Sequence, residues 1–496
     1  MCTKFEKTLL CLILSIFTYT PPAAFGSEPK PDSGKLAWSG RMQTVLDVAK
    51  PLEFDRGKRL PLYLWPAINS GKLDDQTAEL LVKELDRRGV GLIGSWSPRR
   101  RDDSLANGLT IARVQTRLGL RVNVNANACT YHFFNGDERT AHVDEAGKPF
   151  WDESFDSGSR KHKMGCPFAL DFRKDPMREQ VEFFARAYKE AGLKIDFVFA
   201  DWEIDGPIEY NRAFDASKRC ARCRERIKNI DDFLEFQRAL RKIRSELQRY
   251  AYATPITSRF PDALVGNYAV YPHNGYRHWY DYFEYFVEGQ PCLVDQRARY
   301  RVWYDDFPGT GFTFAMPVVY TWYPTYQWYD FDDSDYRWFY NMLLVASNAG
   351  ENTPSDVPII SFVHWHTTAP PDDPDPKVKQ LSREAYQELL WHMLLRGTDT
   401  FFLWCRQDED AEEVRLLHEV YAAAQQYAEF LEEGTPVSFR VPKQPRPVVS
   451  GLRLGGRLLV RRTDFGSSAK RASITVGDRE VHVSPMPGKC QVLSLR

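Results

Sequence analysis

An apolar run in the middle of the chain ends in a cluster of acidic residues. Residues 196–205 read Asp-Phe-Val-Phe-Ala-Asp-Trp-Glu-Ile-Asp. Because side chains of a β-strand alternate between its two sides, Asp201, Glu203 and Asp205 are expected to project in the same direction. Carboxylates held this close cannot all ionise freely, so the pKa of one rises and that group can stay protonated near neutral pH. A proton-donating carboxyl beside a second carboxylate is typical of glycoside hydrolysis, which makes Glu203 and Asp201 the candidate catalytic residues.

The spacing Asp-x-Glu is a weak signal by itself, since it recurs at residues 410–412 and 478–480. Those two copies are interpreted as a helix start and a surface turn. Only the copy at residues 201–203 follows a buried strand, where a barrel would place an active site. The alternative that Asp201 and Glu203 simply pair with arginines at the barrel rim stays open.

Aromatic and imidazole side chains follow four later apolar runs, in a chain whose aromatic content reaches 14%. A sugar ring presents C–H patches to an aromatic face and hydroxyls to polar neighbours, so such a set is typical of a carbohydrate cleft. Each of these residues alone is typical of packing. Taken together, the residues predicted to bind substrate are Asp205, Tyr271, Tyr276, Tyr320, Trp322, His364 and Trp404.

Two features of the sequence bear on metals. His364 and His366 flank a tryptophan, but two histidines without a third nearby ligand are interpreted as hydrogen-bonding residues. Cys220-Ala-Arg-Cys223 is the single CxxC of the chain and lacks a second pair at zinc-site spacing, so a local disulfide or a link to Cys166 is expected. No metal and no cofactor are therefore predicted.

Eight apolar runs alternate with segments of helical periodicity, which predicts βα units around a parallel sheet. Eight such units indicate an α/β fold of the (β/α)8 barrel type. The predicted strands are residues 60–65, 90–96, 120–125, 195–201, 263–271, 311–320, 357–364 and 398–404. The acidic cluster lies at the end of the fourth strand, and the ring of aromatic residues follows the fifth to eighth.

The polar segments after the third and fourth strands, residues 129–173 and 205–230, are long. In a barrel these βα loops build the active face. From residue 433 the pattern changes to short β-rich runs broken by glycine and proline, which predicts a small, β-sandwich-like C-terminal domain over residues 433–496 after a catalytic barrel over residues 27–432.

The N-terminus and the charge balance indicate the compartment and the partners. Residues 1–26 combine two lysines, a short apolar run and Ala24-Phe25-Gly26, the pattern of a cleaved signal peptide, so a secreted or periplasmic protein without stable membrane insertion is expected. Lys plus Arg total 66 against 67 Asp plus Glu. This balance argues against nucleic acid as a partner and leaves a polysaccharide or oligosaccharide as the expected one.

Asp201-Trp202-Glu203 at the end of the fourth strand resembles the Asp-Trp-Glu motif of the hyaluronidase family of glycoside hydrolases. Residues 263–272, 315–320 and 357–362 are similar, in order, to the fifth, sixth and seventh strand segments of that family. Residues 381–404 resemble its last helix and strand, which ends in tryptophan. The resemblance spans residues 60–405, and Asp-Trp-Glu is its most specific part.

The resemblance implies a (β/α)8-like barrel and substrate-assisted hydrolysis. Glu203 would act as general acid and then as base, while the acetamido oxygen of a bound hexosamine attacks the anomeric carbon. Asp201 and Tyr320 would hold that acetamido group, and Tyr276 and Trp404 would line the sugar site. The cysteine framework, the long insertions and the C-terminal domain depart from the family pattern.

Three alternatives remain open from the sequence. The enzyme could act on another polysaccharide with a true carboxylate nucleophile or base, chosen from Asp201, Asp205, Asp281, Glu284 and Asp305. The barrel could bind glycans on its aromatic face without turnover. A metal-dependent hydrolase using His364 and His366 is the third.

Overall fold

The computed structural model describes residues 38–130, 138–157, 160–169, 171–202, 214–274, 306–368, 370–466 and 471–495. The helices are α1 Gly40–Val48, α2 Asp75–Asp86, α3 Arg101–Arg117, α4 Asn127–Thr130, α5 Asp171–Glu190, α6 Phe214–Arg219, α7 Ala221–Arg226, α8 Phe233–Gln248, α9 Thr254–Thr257, α10 Ser334–Asn352, α11 Arg383–Leu394, α12 Asp410–Ala424 and α13 Ala428–Glu433. A π-helical segment, Arg249–Ala253, joins α8 to α9.

The strands up to residue 403 are β1 Tyr63–Leu64, β2 Ile68–Asn69, β3 Ile93–Ser95, β4 Asn123–Asn125, β5 His142–Val143, β6 Pro149–Phe150, β7 Asp152–Ser157, β8 Arg160–Met164, β9 Phe197–Ala200, β10 Leu264–Asn267, β11 Val318–Trp322, β12 Ile360–Thr368 and β13 Thr400–Leu403. The strands after it are β14 Thr435–Pro436, β15 Val448–Leu454, β16 Arg457–Thr463, β17 Ala472–Val476, β18 Arg479–Val483 and β19 Cys490–Ser494.

Parallel pairing closes the main sheet into a barrel. One run of partners is β2, β3, β4, β9 and β10, and the other is β11, β12, β13 and β1. Two junctions join the runs: Leu62 pairs with Val90 beside β1, and the Thr313 N–H donates to the Val265 carbonyl at 2.9 Å. We call each strand position of the barrel a stave. The first stave comprises β1 and β2 on either side of a 3-10 turn, and the other seven hold one strand each. The described residues therefore form eight staves. The predicted (β/α)8 barrel is confirmed, with a strand in each of the eight predicted ranges.

Aromatic rings fill the lumen of the barrel. The Tyr63 and Phe197 rings stack with centroids 4.0 Å apart, and Phe199 lies 4.3 Å from Phe402. A Cβ on Gly266 would meet the Phe314 ring at 2.6 Å, so only glycine leaves room for this ring. The lumen is therefore a packed core, and the space for chemistry lies above it at the C-terminal ends of the strands.

The helices cover the barrel with amphipathic faces, as α2 illustrates. The Asp74 carboxylate caps its start by accepting the Thr77 N–H at 2.8 Å, and Gly89 follows its end with a φ of 70°. One face is apolar at helical spacing and is buried against the outer side of the barrel, comprising Ala78, Leu81, Val82 and Leu85.

A small all-β unit follows α13. Strands β14, β15, β16 and β19 form an antiparallel sheet, and β17 pairs with β18 in a hairpin. Apolar side chains from both sheets meet in a separate core of Leu458, Val460, Ile474, Val476 and Val483. Within the described residues, no helix is both long and apolar enough to cross a membrane.

Two excursions interrupt the barrel, after β4 and after β9. The first contains α4 and the hairpins β5–β6 and β7–β8, and the second contains α6 and α7 in its described part. Both lie at the C-terminal ends of neighbouring strands, because β4 pairs with β9 in parallel.

Candidate functional site

Asp201 continues the fourth barrel stave by one residue beyond β9. Phe197 and Phe199 belong to the lumen core and Val198 and Ala200 to the outer core, so the alternation places Asp201 on the lumen side. Its N–H donates to the Asn127 Oδ1 at 3.2 Å, which fixes the backbone where the stave leaves the sheet.

Asn267 at the end of β10 fixes the next residue. The Trp202 N–H donates to the Asn267 Oδ1 at 2.8 Å, and the Asn267 amide donates back to the Trp202 carbonyl at 3.1 Å. The Asn267 side chain is completely buried. This reciprocal pair fixes the backbone of Trp202, the last described residue after β9.

The surroundings of Asp201 suit a group that exchanges protons near neutrality. The side chain keeps some exposure to solvent, but desolvation by its surroundings raises the pKa of Asp201 from 3.8 to about 7. Desolvation disfavours the ionised form of a carboxyl group, which explains the direction of the shift. A carboxyl with this pKa is present in both protonation states at pH 7, as acid or base catalysis requires.

An aromatic layer lies at the same end of the barrel. The Tyr268 and Tyr320 hydroxyls share a hydrogen bond of 2.7 Å. The Tyr320 ring centroid lies 5.9 Å from that of His364 and 6.4 Å from that of Trp404, and His364 and Trp404 meet edge to face at 4.7 Å. Four neighbouring staves thus supply ring faces, hydroxyls and an imidazole at one level.

The carboxylate of Glu413 on α12 contacts the imidazoles of both His364 and His366. Its Oε1 lies 2.9 Å from His364 Nδ1 and 2.7 Å from His366 Nδ1. The same carboxylate accepts the backbone N–H groups of Trp365 and His366 at 2.9 Å each. His364, Glu409 and Glu413 lie close enough to hold an ion. The many donors around Glu413 favour the hydrogen-bonding interpretation of the two histidines over a metal site.

The electrostatics of this network agree with that interpretation. Burial opposes ionisation of Glu413, but His364, His366 and the backbone donors outweigh it and hold its pKa at about 2. The hydrogen bond with Glu413 raises the pKa of His366 above its usual 6.5. Glu413 is therefore a charged acceptor, and it positions the imidazole that faces Tyr320 and Trp404.

The structure brings together some of the predicted site residues. Tyr320, His364 and Trp404 lie close together at the C-terminal end of the barrel, and Asp201 follows β9 at the same end. Trp322 ends β11 beyond a register shift and is buried. Six further predicted residues lie outside the described residues, namely Glu203, Asp205, Tyr276, Asp281, Glu284 and Asp305.

The prediction that Tyr271 lines the mouth of the barrel is not met. Strand β10 ends at Asn267, and Ala269 adopts a φ of 59°, which turns the chain and breaks the alternation. Tyr271 consequently packs at 1% exposure in the core between barrel and helices. Tyr268, which sequence reasoning missed, takes the mouth position. Leu264 faces the lumen, and side-chain alternation from it places Tyr268 on the same side, so the sequence could have predicted this position.

The disulfide predicted for the CxxC of Cys220 and Cys223 is not formed. No disulfide links the cysteines that the structure describes. Cys166 does join Cys220 and Cys223, but the Sγ atoms of Cys166 and Cys223 are 3.4 Å apart, against about 2.05 Å in a disulfide. His142 completes the group. Spacing around the CxxC could not predict this group, because His142 and Cys166 come from the excursion after β4, far from the CxxC in sequence.

The sequence matches no protein-family model and no curated protein. Among solved structures, the isomaltulose synthase SmuA from Protaminobacter rubrum matches at 9% identity over 82% of this chain and 80% of that chain, with a TM-score of 0.32. Alpha-L-fucosidase isoenzyme 1 from Paenibacillus thiaminolyticus matches at 10% identity over 80% of this chain and 73% of that chain, with a TM-score of 0.30.

A cyclomaltodextrinase matches at 10% identity over 91% of this chain and 69% of that chain, with a TM-score of 0.33. None of these three is named as a hyaluronidase, so the resemblance to that family stays a prediction. TM-scores this low carry no argument about activity. The assignment of the barrel rests instead on the strand pairing described above.

Proposed function

We propose that the protein is a glycoside hydrolase that cleaves a polysaccharide or oligosaccharide at the C-terminal mouth of its barrel. The observation that carries the proposal is the position of Asp201, a carboxyl on the lumen side of the fourth stave. Desolvation by its surroundings raises its pKa to about 7. Beside it in the barrel, aromatic faces and hydroxyls of Tyr268, Tyr320 and Trp404 form one layer. Aromatic faces with a few polar groups suit a sugar ring, and a proton-exchanging carboxyl suits cleavage of its glycosidic bond.

The proposed division of labour assigns the proton transfer to Glu203 and a supporting role to Asp201. Glu203 follows Asp201 by two residues, the spacing that puts both on one side of an extended chain. In the substrate-assisted form of the reaction, Asp201 and Tyr320 orient the acetamido group of a hexosamine, whose oxygen attacks the anomeric carbon. Glu203 protonates the leaving oxygen and later deprotonates the attacking water. We also propose that the N-terminal signal directs the enzyme to export.

The test is a product assay of the mature chain on a panel of polysaccharides with and without N-acetylated hexosamines. Glu203→Gln keeps the shape of the side chain and removes the proton donor, so activity is expected to fall at least about 100-fold. Asp201→Asn is expected to lower kcat with little change in fold. Asp196→Asn is the matched control, because Asp196 lies at the opposite end of the same strand and accepts the Val122 N–H at 2.7 Å.

The outcomes separate the hypotheses. Cleavage restricted to N-acetylated glycans supports the substrate-assisted mechanism, whereas cleavage of other glycans calls for a carboxylate nucleophile elsewhere. If Glu203→Gln retains the wild-type rate, the acid assignment is wrong. Glycan binding without any product would instead identify a carbohydrate-binding barrel.

A further inference from the structure

Four potential metal ligands converge in the excursions above the barrel. They are His142 on β5, Cys166 after β8, and Cys220 and Cys223 at the start of α7. One ligand atom from each lies within 4.8 Å of all the others, and all four residues are completely buried. Zinc–sulfur bonds of about 2.3 Å in a tetrahedron place two sulfurs about 3.8 Å apart. The 3.4 Å between the Sγ atoms of Cys166 and Cys223 is close to this spacing.

The backbone is shaped to present the sulfurs. Cys220 is the residue preceding α7, so the CxxC spans the first turn of a helix and both sulfurs face the same way. The backbone N–H groups of Val143 and Phe168 lie against the sulfurs of Cys220 and Cys166. Backbone donors of this kind orient the ligand atoms of a metal site.

A second close contact fixes the Cys166 side of the cluster. The Cys166 N–H donates to the Thr140 carbonyl at 2.7 Å. A Cβ on the preceding residue, Gly165, would lie 2.1 Å from the same carbonyl oxygen. Glycine is therefore required at residue 165, where the two segments cross. The crossing brings Thr140, two residues before His142, against Gly165, one residue before Cys166.

The imidazole of His142 supplies the independent observation that points to a ligand. Its ring stacks on Phe150 with centroids 5.2 Å apart, and both ring nitrogens are buried without a regular hydrogen-bond partner. The group that interacts with the imidazole is the sulfur of Cys220, another member of the cluster. A buried polar group without a partner is costly, and coordination to a metal would satisfy one of these nitrogens. An ordinary apolar core would leave both nitrogens unsatisfied.

We propose that His142, Cys166, Cys220 and Cys223 form a structural zinc site. Three sulfurs and one imidazole nitrogen are the ligand set and number that tetrahedral zinc takes in closed structural sites. Three thiolates and Zn²⁺ leave one net negative charge, and Arg222 lies next to it, with its guanidinium 3.2 Å from the Ala141 carbonyl. With four protein ligands the ion has no open position, so its role is to brace the fold.

The site would tie together the two excursions that follow neighbouring staves β4 and β9. His142 and Cys166 belong to the first excursion, and Cys220 and Cys223 to the second. Asp201 lies where the chain passes from β9 into the second excursion, two residues before Glu203 in the sequence. The zinc would thus limit the movement of the segments that border the mouth of the barrel. This inference does not depend on the proposed hydrolase activity.

The test is the metal content of the mature chain, purified without chelator, by inductively coupled plasma mass spectrometry. One zinc per chain is expected, and Cys220→Ser or Cys223→Ser is expected to lose it. Cys490→Ser is the matched control, because Cys490 is also a buried free cysteine but lies in the C-terminal sheet. It is expected to keep the full zinc content.

A second variant keeps the test informative if the serine variants fail to fold. His142→Cys preserves four ligands and is expected to retain one zinc, with a Co²⁺-substituted absorption spectrum that gains thiolate charge-transfer intensity over wild type. The proposal is overturned if the folded, reduced chain binds no zinc at one equivalent of Zn²⁺. It is also overturned if peptide mapping of the metal-free native protein finds a disulfide between any two of the three cysteines.

Discussion

At the scale of single residues, the surroundings of Asp201 that suit proton exchange also lower stability. Its pKa in the folded chain is about 7, against 3.8 for the ordinary group. The native state therefore holds a proton that the unfolded state releases between these values. Stability contributed by this group is complete below pH 3.8 and is lost as the pH rises through 7.

Replacing Asp201 with asparagine is therefore expected to stabilise the protein at alkaline pH. The advantage of Asp201→Asn over wild type in free energy of unfolding should grow by about 2 to 3 kcal/mol between pH 5 and pH 8, at 1.36 kcal/mol per pKa unit. Urea unfolding of both proteins at the two pH values measures it. Asp196→Asn serves as the control on the same strand, and parallel pH curves for Asp201→Asn and wild type would contradict the shifted pKa.

Side-chain alternation predicts the positions of some site residues and not of others. Alternation along a strand was enough to predict that Asp201, Tyr320, His364 and Trp404 share one end of the barrel. It failed at Tyr271, because the left-handed turn at Ala269 ends the alternation after Tyr268. A positive φ at an alanine leaves no signal in the sequence, since glycine is the residue expected there.

At the scale of elements, periodicity predicts more than it does for individual side chains. The eight staves and the capped helix α2 follow from apolar runs, helical spacing and end signals that are local in sequence. The cluster of His142, Cys166, Cys220 and Cys223 is non-local, since its ligands come from two excursions separated by α5 and β9. Local spacing rules therefore had no means of finding His142.

Helix α10 contains a glycine whose role is set by packing. A Cβ on Gly350 would lie 2.0 Å from the Arg396 carbonyl oxygen and 2.7 Å from the Phe439 ring. Gly350→Ala is expected to lower the free energy of unfolding by about 1 to 3 kcal/mol, although alanine is the better helix former. Thermal and urea unfolding measure the loss.

Gly40→Ala provides the comparison for Gly350→Ala. Gly40 lies at the start of α1, where an added Cβ meets nothing within 4 Å. Substitution there is expected to be neutral or to add up to about 1 kcal/mol. Equal effects of the two substitutions would show that packing around Gly350 is looser than described.

At the scale of the whole molecule, the C-terminal sheet is docked on the barrel through buried polar groups as well as apolar ones. Arg396, at 1% exposure, donates to the Ser450 Oγ at 2.7 Å, to the Ser347 Oγ at 2.6 Å and to the Phe439 carbonyl at 2.8 Å. His392 Nδ1 shares the same Ser450 hydroxyl at 2.8 Å. The two units are therefore expected to unfold together.

Arg396→Met is expected to separate the two units. The apolar side chain fills similar space but leaves the serine hydroxyls and the Phe439 carbonyl without their donor, at a cost of about 3 kcal/mol or more. Differential scanning calorimetry should show one transition for wild type and a lower or split transition for the variant. Arg453→Met, at an exposed arginine on the same sheet, is expected to match wild type. A single, unshifted transition for Arg396→Met would contradict this account of the docking.

The seam that closes the barrel joins opposite ends of the barrel sequence. The Thr400 hydroxyl donates to the Pro61 carbonyl across 339 residues at 2.9 Å, beside the pairing of β1 with β13. During synthesis, the outer edge of the first stave therefore stays unpaired until β13, which ends at residue 403, has left the ribosome. Contacts this distant in sequence slow folding, and an unpaired strand edge is a site of misassociation. The nascent chain is therefore expected to expose this strand edge until most of it has been made.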